Sequence, residues 1–168
     1  MRAQASEKIE DRISYNPETG VFVWKQTLSG FCRQGKPAGR MGTGRASGYM
    51  RITLAGREYK AHRLAWFIMT GEWPNKQIDH INGVPHDNRW SNLRLATQSQ
   101  NKANGPAYKN SKSGFRGVTW DKRVNRWFAA IQVNGKQKFL GRFVNIADAV
   151  DAYQKAAKEH FGGYSRTS

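Results

Sequence analysis

The chain has 168 residues, of which 28 are Lys or Arg and 12 are Asp or Glu, so its formal charge at pH 7 is +16. A charge of this size exceeds what solubility requires and predicts a polyanionic partner. A membrane partner is disfavoured, because the longest apolar stretch, residues 64–69, is too short to span a bilayer and no basic amphipathic helix stands out. The single cysteine, Cys32, excludes an intrachain disulfide and a Cys-rich zinc site.

The N-terminal part of the chain predicts short strands. Residues 21–24 have the composition of one strand, and residues 49–54 and 58–61 have that of a hairpin turned at Ala55-Gly56. Between them, the Gly-rich and basic residues 35–48 are consistent with an arm that tracks a DNA groove or with a flexible surface loop.

A helix and a strand–loop–strand–helix segment follow. Apolar residues recur at helical spacing over residues 61–68, and a Gly and a Pro close this helix downstream. Residues 77–81 are expected to form a strand whose partner is residues 93–96. Residues 97–100, Thr-Gln-Ser-Gln, match a capping box and predict the start of another short helix.

A carboxylate stands next to an imidazole at Asp79-His80, and Asn82-Gly83 follows with strong turn chemistry. In phosphodiester hydrolysis, carboxylate and amide oxygens hold a hard cation on the phosphate while neutral imidazole takes a proton from water. Successive strand side chains face opposite ways, so both residues can serve one phosphate only where the strand ends or bends. Residues 77–104 have a net charge of +1 (3 basic, 2 acidic). The preceding residues 1–76 have a net charge of +7 (13 basic, 6 acidic), and the following residues 105–168 have one of +8 (12 basic, 4 acidic). This pattern predicts flanks that neutralise phosphates around one scissile bond.

Other polar and aromatic residues have structural interpretations, and an isolated Asp-His pair is itself more often a surface turn than a site. His62 is interpreted as a packed, hydrogen-bonded histidine, and His86 as a solvated loop histidine or a second phosphate contact. Asn88 and Asn104 are expected to hold a loop and a helix rather than a metal. The four histidines are too scattered for a zinc spacing, so no structural zinc is expected. The aromatic residues expected in the core are Trp24, Trp66, Trp73, Trp90 and Trp127.

The last part of the chain predicts a small sheet and one helix. A polar stretch rich in Gly, Pro, Asn, Ser and Lys at residues 105–113 predicts a flexible linker. Three antiparallel strands are expected beyond it, at residues 115–120, 126–133 and 138–143. Asn134-Gly135 is the expected turn between the last two strands. The final helix is expected to have Asn145 as its N-cap and to end at Gly162-Gly163.

The middle of the chain resembles the HNH, or ββα-metal, motif of phage and intron-encoded homing endonucleases. The resemblance is carried by Asp79-His80, by residues 81–83 with 87–89, by Asn92-Leu93 and by Asn101. It implies that His80 is the general base, that Asp79 and Asn101 hold one divalent cation, and that Asn92 braces the loop and positions the His80 ring. Asn101 replaces the last His of the motif, and its oxygen ligand favours Mg²⁺ or Mn²⁺.

Two segments upstream also resemble those that precede the motif in such proteins. They are residues 15–20, Tyr-Asn-Pro-Glu-Thr-Gly, and residues 61–66, Ala-His-Arg-Leu-Ala-Trp. A structural role is expected for both.

Residues 113–163 are similar to the AP2 DNA-binding domain. The similarity is carried by the Phe-Arg-Gly-Val opening at 115–118, by 127–131, by Leu-Gly-Arg-Phe at 140–143 and by 149–153. It implies that the sheet lies in the major groove, with Gln132 and Phe139 replacing the Arg and Trp of the AP2 pattern. The implied DNA contacts are Arg116, Trp120, Lys122, Arg126, Gln132, Lys138 and Phe139.

Together these observations predict an α+β protein of four parts: a basic region (1–76), an HNH motif (77–104), a linker (105–113) and an AP2-like domain (114–168). The expected function is a monomeric, site-directed, homing-type DNA endonuclease that uses Mg²⁺ or Mn²⁺ and nicks one strand of duplex DNA. We expect an intracellular protein of a phage-infected bacterial cell, not a secreted or membrane protein. The alternatives are an AP2-type DNA-binding regulator with an inactive HNH motif, and a nuclease of structured RNA, which major-groove readout disfavours.

Overall fold

Two units make up the chain, residues 1–95 and residues 96–168. The structure, a computed structural model, describes residues 9–28, 30–44, 48–105 and 111–165. It is a mixed α/β protein built from several small sheets and α-helices. The division between the units falls inside the predicted HNH segment, just before its last helix.

Small antiparallel sheets open the first unit. Strand β1 (Ile13–Tyr15) pairs with β2 (Phe22–Trp24), which confirms the predicted strand at 21–24. A second sheet has the order β3-β4-β5, made of β3 (Arg40–Met41), β4 (Met50–Leu54) and β5 (Arg57–Lys60). The predicted hairpin is confirmed, and Ala55 and Gly56 at its turn have φ of 49° and 78°. Two left-handed residues are what a tight hairpin turn requires.

Helix α1 (Ala61–Thr70) confirms the helix predicted over residues 61–68, and a two-stranded sheet follows it. It ends because Gly71, with φ of 76°, donates its N–H back to the carbonyl of Phe67. Strand β6 (Gln77–His80) then pairs with β7 (Leu93–Ala96), and a 3₁₀ turn at Trp90–Asn92 leads into β7. The buried core of this unit includes Ile13, Phe22, Trp24, Ile52, Leu54, Leu64, Ala65, Phe67, Ile78 and Leu93.

The second unit begins with α2 (Gln98–Asn104) and continues with a three-stranded antiparallel sheet. The predicted capping box is present, since the Thr97 hydroxyl accepts from the Gln100 N–H and the Gln100 side chain accepts from the Thr97 N–H. The sheet consists of β8 (Val118–Asp121), β9 (Arg126–Val133) in the middle and β10 (Lys136–Phe143). Helix α3 (Ile146–Phe161) packs against this sheet.

The strand register divides this sheet into two faces. Val118 pairs with Ala129, and both are buried against Ala149 of α3. Because neighbouring residues of a strand face opposite ways, Phe128 and its partner Arg142 lie on the other side. We call the side away from α3 the open face. It carries Thr119, Asp121, Arg126, Phe128, Ala130, Gln132, Gln137, Phe139 and Arg142.

Two details differ from the sequence expectations. Trp73 is 40% exposed and stacks on Phe67 and Tyr59, so its prediction as a core aromatic is wrong. Asn145 stands at the N-cap of α3, but its side chain makes no capping hydrogen bond. Most of the predicted linker, residues 106–110, lies outside the described residues, as does Arg45 of the Gly-rich segment. Among the helices described, none combines the length and apolarity needed to cross a membrane.

Candidate active site

Strand β6 ends at Asp79-His80, as the turn chemistry predicts. The Gly83 N–H donates to the His80 carbonyl at 2.8 Å, and the Ile81 N–H donates to the Asn92 carbonyl at 2.9 Å. Both site residues are buried, with Asp79 3% and His80 5% exposed. Burying a carboxylate and an imidazole costs free energy unless both have polar partners. Their partners come from the loop between β6 and β7 and from β7 itself.

Asn92 braces that loop from within. Its side-chain oxygen accepts from the Asn82 N–H at 2.9 Å, and its amide nitrogen donates to the Asp87 carbonyl at 2.7 Å. One side chain therefore joins the two halves of the loop, which is the bracing position that the resemblance implies. Its contribution to catalysis stays a prediction.

Asp87 is a second brace, which the sequence reasoning did not assign to the site. Its carboxylate accepts from Arg89 Nε at 2.9 Å and from Asn82 Nδ2 at 2.7 Å. The hydrogen bond from the Arg89 guanidinium lowers the pKa of Asp87 to about 2. The available signal was the place of Asp87 in the Asp-Asn-Arg segment, since a short acid followed by Arg two residues later is a common loop clamp.

The His80 ring is held by three side chains. Its Nε2 lies 3.5 Å from Asn88 Oδ1, the outer limit of a hydrogen bond. The His62 ring meets it edge to face with centroids 5.1 Å apart, and the Tyr49 ring lies 6.0 Å away. Burial lowers the pKa of His80, against the opposing effects of the Asn88 hydrogen bond and the Asp79 carboxylate. The ring is therefore neutral near pH 7, the form that a general base needs.

His62, on α1, was interpreted from sequence as a packed, hydrogen-bonded histidine. The packing is confirmed, with 5% of the residue exposed, but its Nδ1 has no hydrogen-bond partner among the described residues. Burial lowers the pKa of His62 to about 3, helped by the charges of His80 and Lys60. His62 thus belongs to the surroundings of His80, and the Ala-His-Arg-Leu-Ala-Trp segment was the signal that pointed to it.

The carboxylate of Asp79 faces a guanidinium. Arg94 of β7 donates from Nε to Asp79 Oδ2 at 2.8 Å, and its Nη2 lies 2.8 Å from the same oxygen. Asp79 and the predicted second ligand, Asn101, offer carboxylate and amide oxygens, a donor set that fits Mg²⁺ or Mn²⁺. Asn101 lies in α2, in the second unit, so its membership of the site stays a prediction. In the described part of the chain, no three His, Cys, Asp or Glu side chains cluster as a metal site.

The seven predicted DNA contacts occupy different places in the second unit. Arg126, Gln132 and Phe139 are exposed on the open face, and Lys122 is exposed in the turn that precedes β9. Arg116 donates to the Gly105 carbonyl at 2.7 Å, which attaches the entry of the sheet to the end of α2.

Trp120 and Lys138 lie on the α3 side of the sheet. Trp120 pairs with Trp127 and meets its ring at 5.0 Å, and Lys138 Nζ is 3.3 Å from His160 Nε2 of α3. A sheet that docked through its open face would not present these two side chains.

Sequence reasoning missed two side chains of the open face, Phe128 and Arg142. The Arg142 guanidinium lies 5.9 Å from the centre of the Phe128 ring and 5.5 Å from that of Phe139. A β-bulge between Phe139 and Gly141 places Arg142 and Phe139 on the same face although they are three residues apart. Nothing in the residue pattern marks that bulge.

Comparison with known proteins agrees with the chemistry of the Asp79-His80 segment. Residues 59–103 match the family model described as HNH endonuclease. The chain is 32% identical over 113 residues to Protein 3.8 of Escherichia phage T7, an alignment that covers 64% of this chain and 92% of the relative. The chain belongs to the family of Protein 3.8. Its HNH domain identifies it as a nuclease with DNA as its substrate, and the relative indicates a phage origin. No solved structure matches the chain.

Proposed function

We propose that the chain is a metal-dependent, homing-type HNH endonuclease that hydrolyses one strand of duplex DNA at each docking. The observation that carries the proposal is the state of His80: a buried imidazole with a lowered pKa, ending a strand directly after a carboxylate. A neutral imidazole at such a position is suited to take a proton from water.

Each residue of the site has a role in this reaction. His80 takes the proton from the attacking water, and Asn92 with Asp87 holds the loop that follows it. Asp79 and Asn101 would hold one Mg²⁺ or Mn²⁺, which when bound stabilises the charge that develops on the phosphate and on the leaving oxygen. A single His80 provides one general base, so one strand is cut per docking and the monomer suffices.

DNA binding is assigned to the second unit. Its open face presents Arg126, Gln132, Phe139, Phe128 and Arg142, which combines guanidinium, amide and aromatic groups on one exposed surface. Arg and Gln can read base edges in the major groove, and Arg also engages phosphate. The similarity to the AP2 sheet supports the same assignment. The salt dependence of binding would report the phosphate contacts.

One observation favours the alternative, a DNA-binding regulator with an inactive HNH motif. The Asp79 carboxylate is paired with Arg94, and a carboxylate that already binds a guanidinium is a weaker metal ligand. The two functions differ in whether the protein turns over, so a cleavage assay separates them.

The test is conversion of supercoiled plasmid to open-circle or linear DNA by wild type and His80→Ala, each with Mg²⁺, with Mn²⁺ and with chelator. We expect metal-dependent open circles from the wild type and a rate at least ~100-fold lower for His80→Ala, the range for loss of a general base. Binding of both proteins to the same plasmid is measured in parallel. Binding without cutting by the wild type, on DNA broad enough to include a target, would support the regulator. Direct conversion to linear DNA by a monomer would refute nicking.

A further inference from the structure

The segment Tyr-Asn-Pro-Glu-Thr-Gly at residues 15–20, which contains the last residue of β1 and most of the turn to β2, packs directly on the loop of the active site. The Tyr15 hydroxyl donates to the Asn88 carbonyl at 2.7 Å, and the Trp90 N–H donates to the Pro17 carbonyl at 2.8 Å. At Gly20, with φ of 73°, a Cβ would lie 2.5 Å from the backbone of Asn88 and Arg89. The hairpin and the loop are therefore one packed structure.

Asn88 transmits this contact to the imidazole of His80. Asn88 is 1% exposed, and its amide nitrogen donates to the His86 carbonyl at 3.1 Å. That bond leaves Oδ1 as the amide atom facing His80 Nε2, at 3.5 Å. Because Oδ1 can only accept, the bond selects the imidazole tautomer with the proton on Nε2. Nδ1 is then the atom that takes a proton.

Tyr15 is half-buried, and its hydroxyl acts as a fixed donor. Burial, with the nearby Asp87 carboxylate, raises the pKa of Tyr15 to about 12, so the phenol keeps its proton at neutral pH. The Tyr15 ring lies 4.8 Å from the Phe22 ring, which holds its direction. The Tyr15 hydroxyl thus fixes the backbone carbonyl of Asn88. The side-chain amide of Asn88 is fixed separately, by its hydrogen bond to the His86 carbonyl.

We propose that Tyr15 is a positioning residue of the nuclease, which acts through Asn88 to hold His80 in the tautomer needed for proton transfer. This inference rests on the proposed role of His80. It gives Tyr15 a role in catalysis, through Asn88, in addition to its packing contacts.

The first experiment measures single-turnover cleavage and DNA affinity for Tyr15→Phe, with Ser14→Ala as the matched control. Each variant removes one hydroxyl from β1, since Ser14 Oγ donates to the Val23 carbonyl at 3.3 Å. We expect Tyr15→Phe to cut about 5- to 20-fold more slowly with an unchanged Kd, the effect of one hydrogen bond on a rate. Ser14→Ala should cut as the wild type does. A wild-type rate for Tyr15→Phe would overturn the proposal, as would a loss confined to Kd.

The second experiment reads the tautomer directly and does not depend on activity. In full-length protein labelled with ¹⁵N-histidine, without DNA or metal, the ring nitrogen shifts of His80 report which nitrogen carries the proton. The wild type should have the proton on Nε2, and Tyr15→Phe should move His80 toward a mixture of tautomers. Unchanged shifts in a folded Tyr15→Phe variant would refute positioning even if cleavage slowed.

A double-mutant cycle tests the path through Asn88. Asn88→Ala removes Oδ1 but keeps the carbonyl that accepts from Tyr15, so the two changes act on the same link. The double variant Tyr15→Phe/Asn88→Ala should cut no more slowly than Asn88→Ala alone. If the two substitutions instead reduced the cleavage rate by factors that multiply, the proposed path would be overturned. If Asn88→Ala does not fold, the tautomer of His80 measured in the Tyr15→Phe variant decides whether Tyr15 positions the ring. Wild-type cleavage by His80→Ala would refute the proposed function instead, independently of the tautomer measurement.

Discussion

Two neighbouring buried histidines, His62 and His80, have different surroundings. Asn88 and Asp79 oppose the effect of burial on His80, whereas the charges of His80 and Lys60 add to the effect of burial on His62. His80 therefore keeps groups that favour its protonated form, which forms when it takes a proton from water. His62 packs against His80 as an uncharged ring. A positive charge on His62 at this distance would oppose protonation of His80.

His62 should make the stability of the protein depend on pH. Its pKa is about 3 in the folded protein against about 6.5 when unfolded, so between these values the unfolded chain binds the extra proton. The free energy of unfolding should therefore fall as the pH drops from 6.5 toward 3, by at most about 1.4 kcal/mol per pH unit from this residue. Denaturant titrations of wild type and His62→Phe from pH 4 to 8 measure it, with a shallower slope expected for the variant.

The exposed His86 provides the comparison for His62. His86→Phe also removes one histidine, but from the surface of the loop. Parallel stability curves for the wild type and His62→Phe would contradict the account of His62, while a slope reduced by His62→Phe alone would support it.

At the scale of elements, contacts that are local in sequence were predictable and contacts between distant segments were not. The Thr97 to Gln100 capping box and the Ala55-Gly56 turn follow from residues a few positions apart. The bond from Tyr15 to Asn88 spans 73 residues, so only a resemblance of the whole segment could point to it. The β-bulge after Phe139 likewise depends on strand pairing rather than on residue type, which is why Arg142 was missed.

The same limit applied to the site. Asp79 and His80 could be recognised because they adjoin a turn signal, and Asn92 because it matched a motif spacing. Neither the contact of the His62 ring with His80 nor the pairing of Asp79 with Arg94 could be read from spacing, since both depend on the packing of α1 and β7 around β6. Trp73 was assigned to the core on residue type alone, and it stacks on the surface instead.

The packing of the β1–β2 turn on the loop can be tested at Gly20. Gly20 and Gly56 have similar left-handed φ, 73° and 78°, but a Cβ at Gly20 would meet backbone at 2.5 Å whereas one at Gly56 meets nothing within 4 Å. Gly56→Ala should destabilise by about 1 kcal/mol, from backbone strain alone. Gly20→Ala should cost at least about 2 kcal/mol more, because backbone must move.

Denaturant unfolding of both variants measures this difference. Since the two substitutions are chemically identical and share the conformational cost, their difference isolates the contact with Asn88 and Arg89. Equal destabilisation would mean that the hairpin and the loop do not pack as described.

For the whole molecule, charge is what connects the sequence to the proposed partner. The net charge of +16 attracts any polyanion, so affinity alone does not locate the DNA-binding surface. A surface that contacts phosphates releases counterions from them, and the dependence of binding on salt counts those contacts. The slope of log K against log salt therefore distinguishes a docking surface from general attraction.

Two double variants, each of which removes two positive charges, test whether the open face binds DNA. Arg126→Ala/Arg142→Ala removes two cations from the open face, and Lys155→Ala/Lys158→Ala removes two exposed cations from α3. If the sheet docks on DNA, the open-face variant should reduce the magnitude of the salt slope by about 1 to 2 and weaken binding, and the α3 variant should leave the slope near that of the wild type. Fluorescence anisotropy on duplex DNA across a salt series provides both slopes. A larger loss of slope in the α3 variant would place the DNA on the helix side, where Trp120 and Lys138 lie.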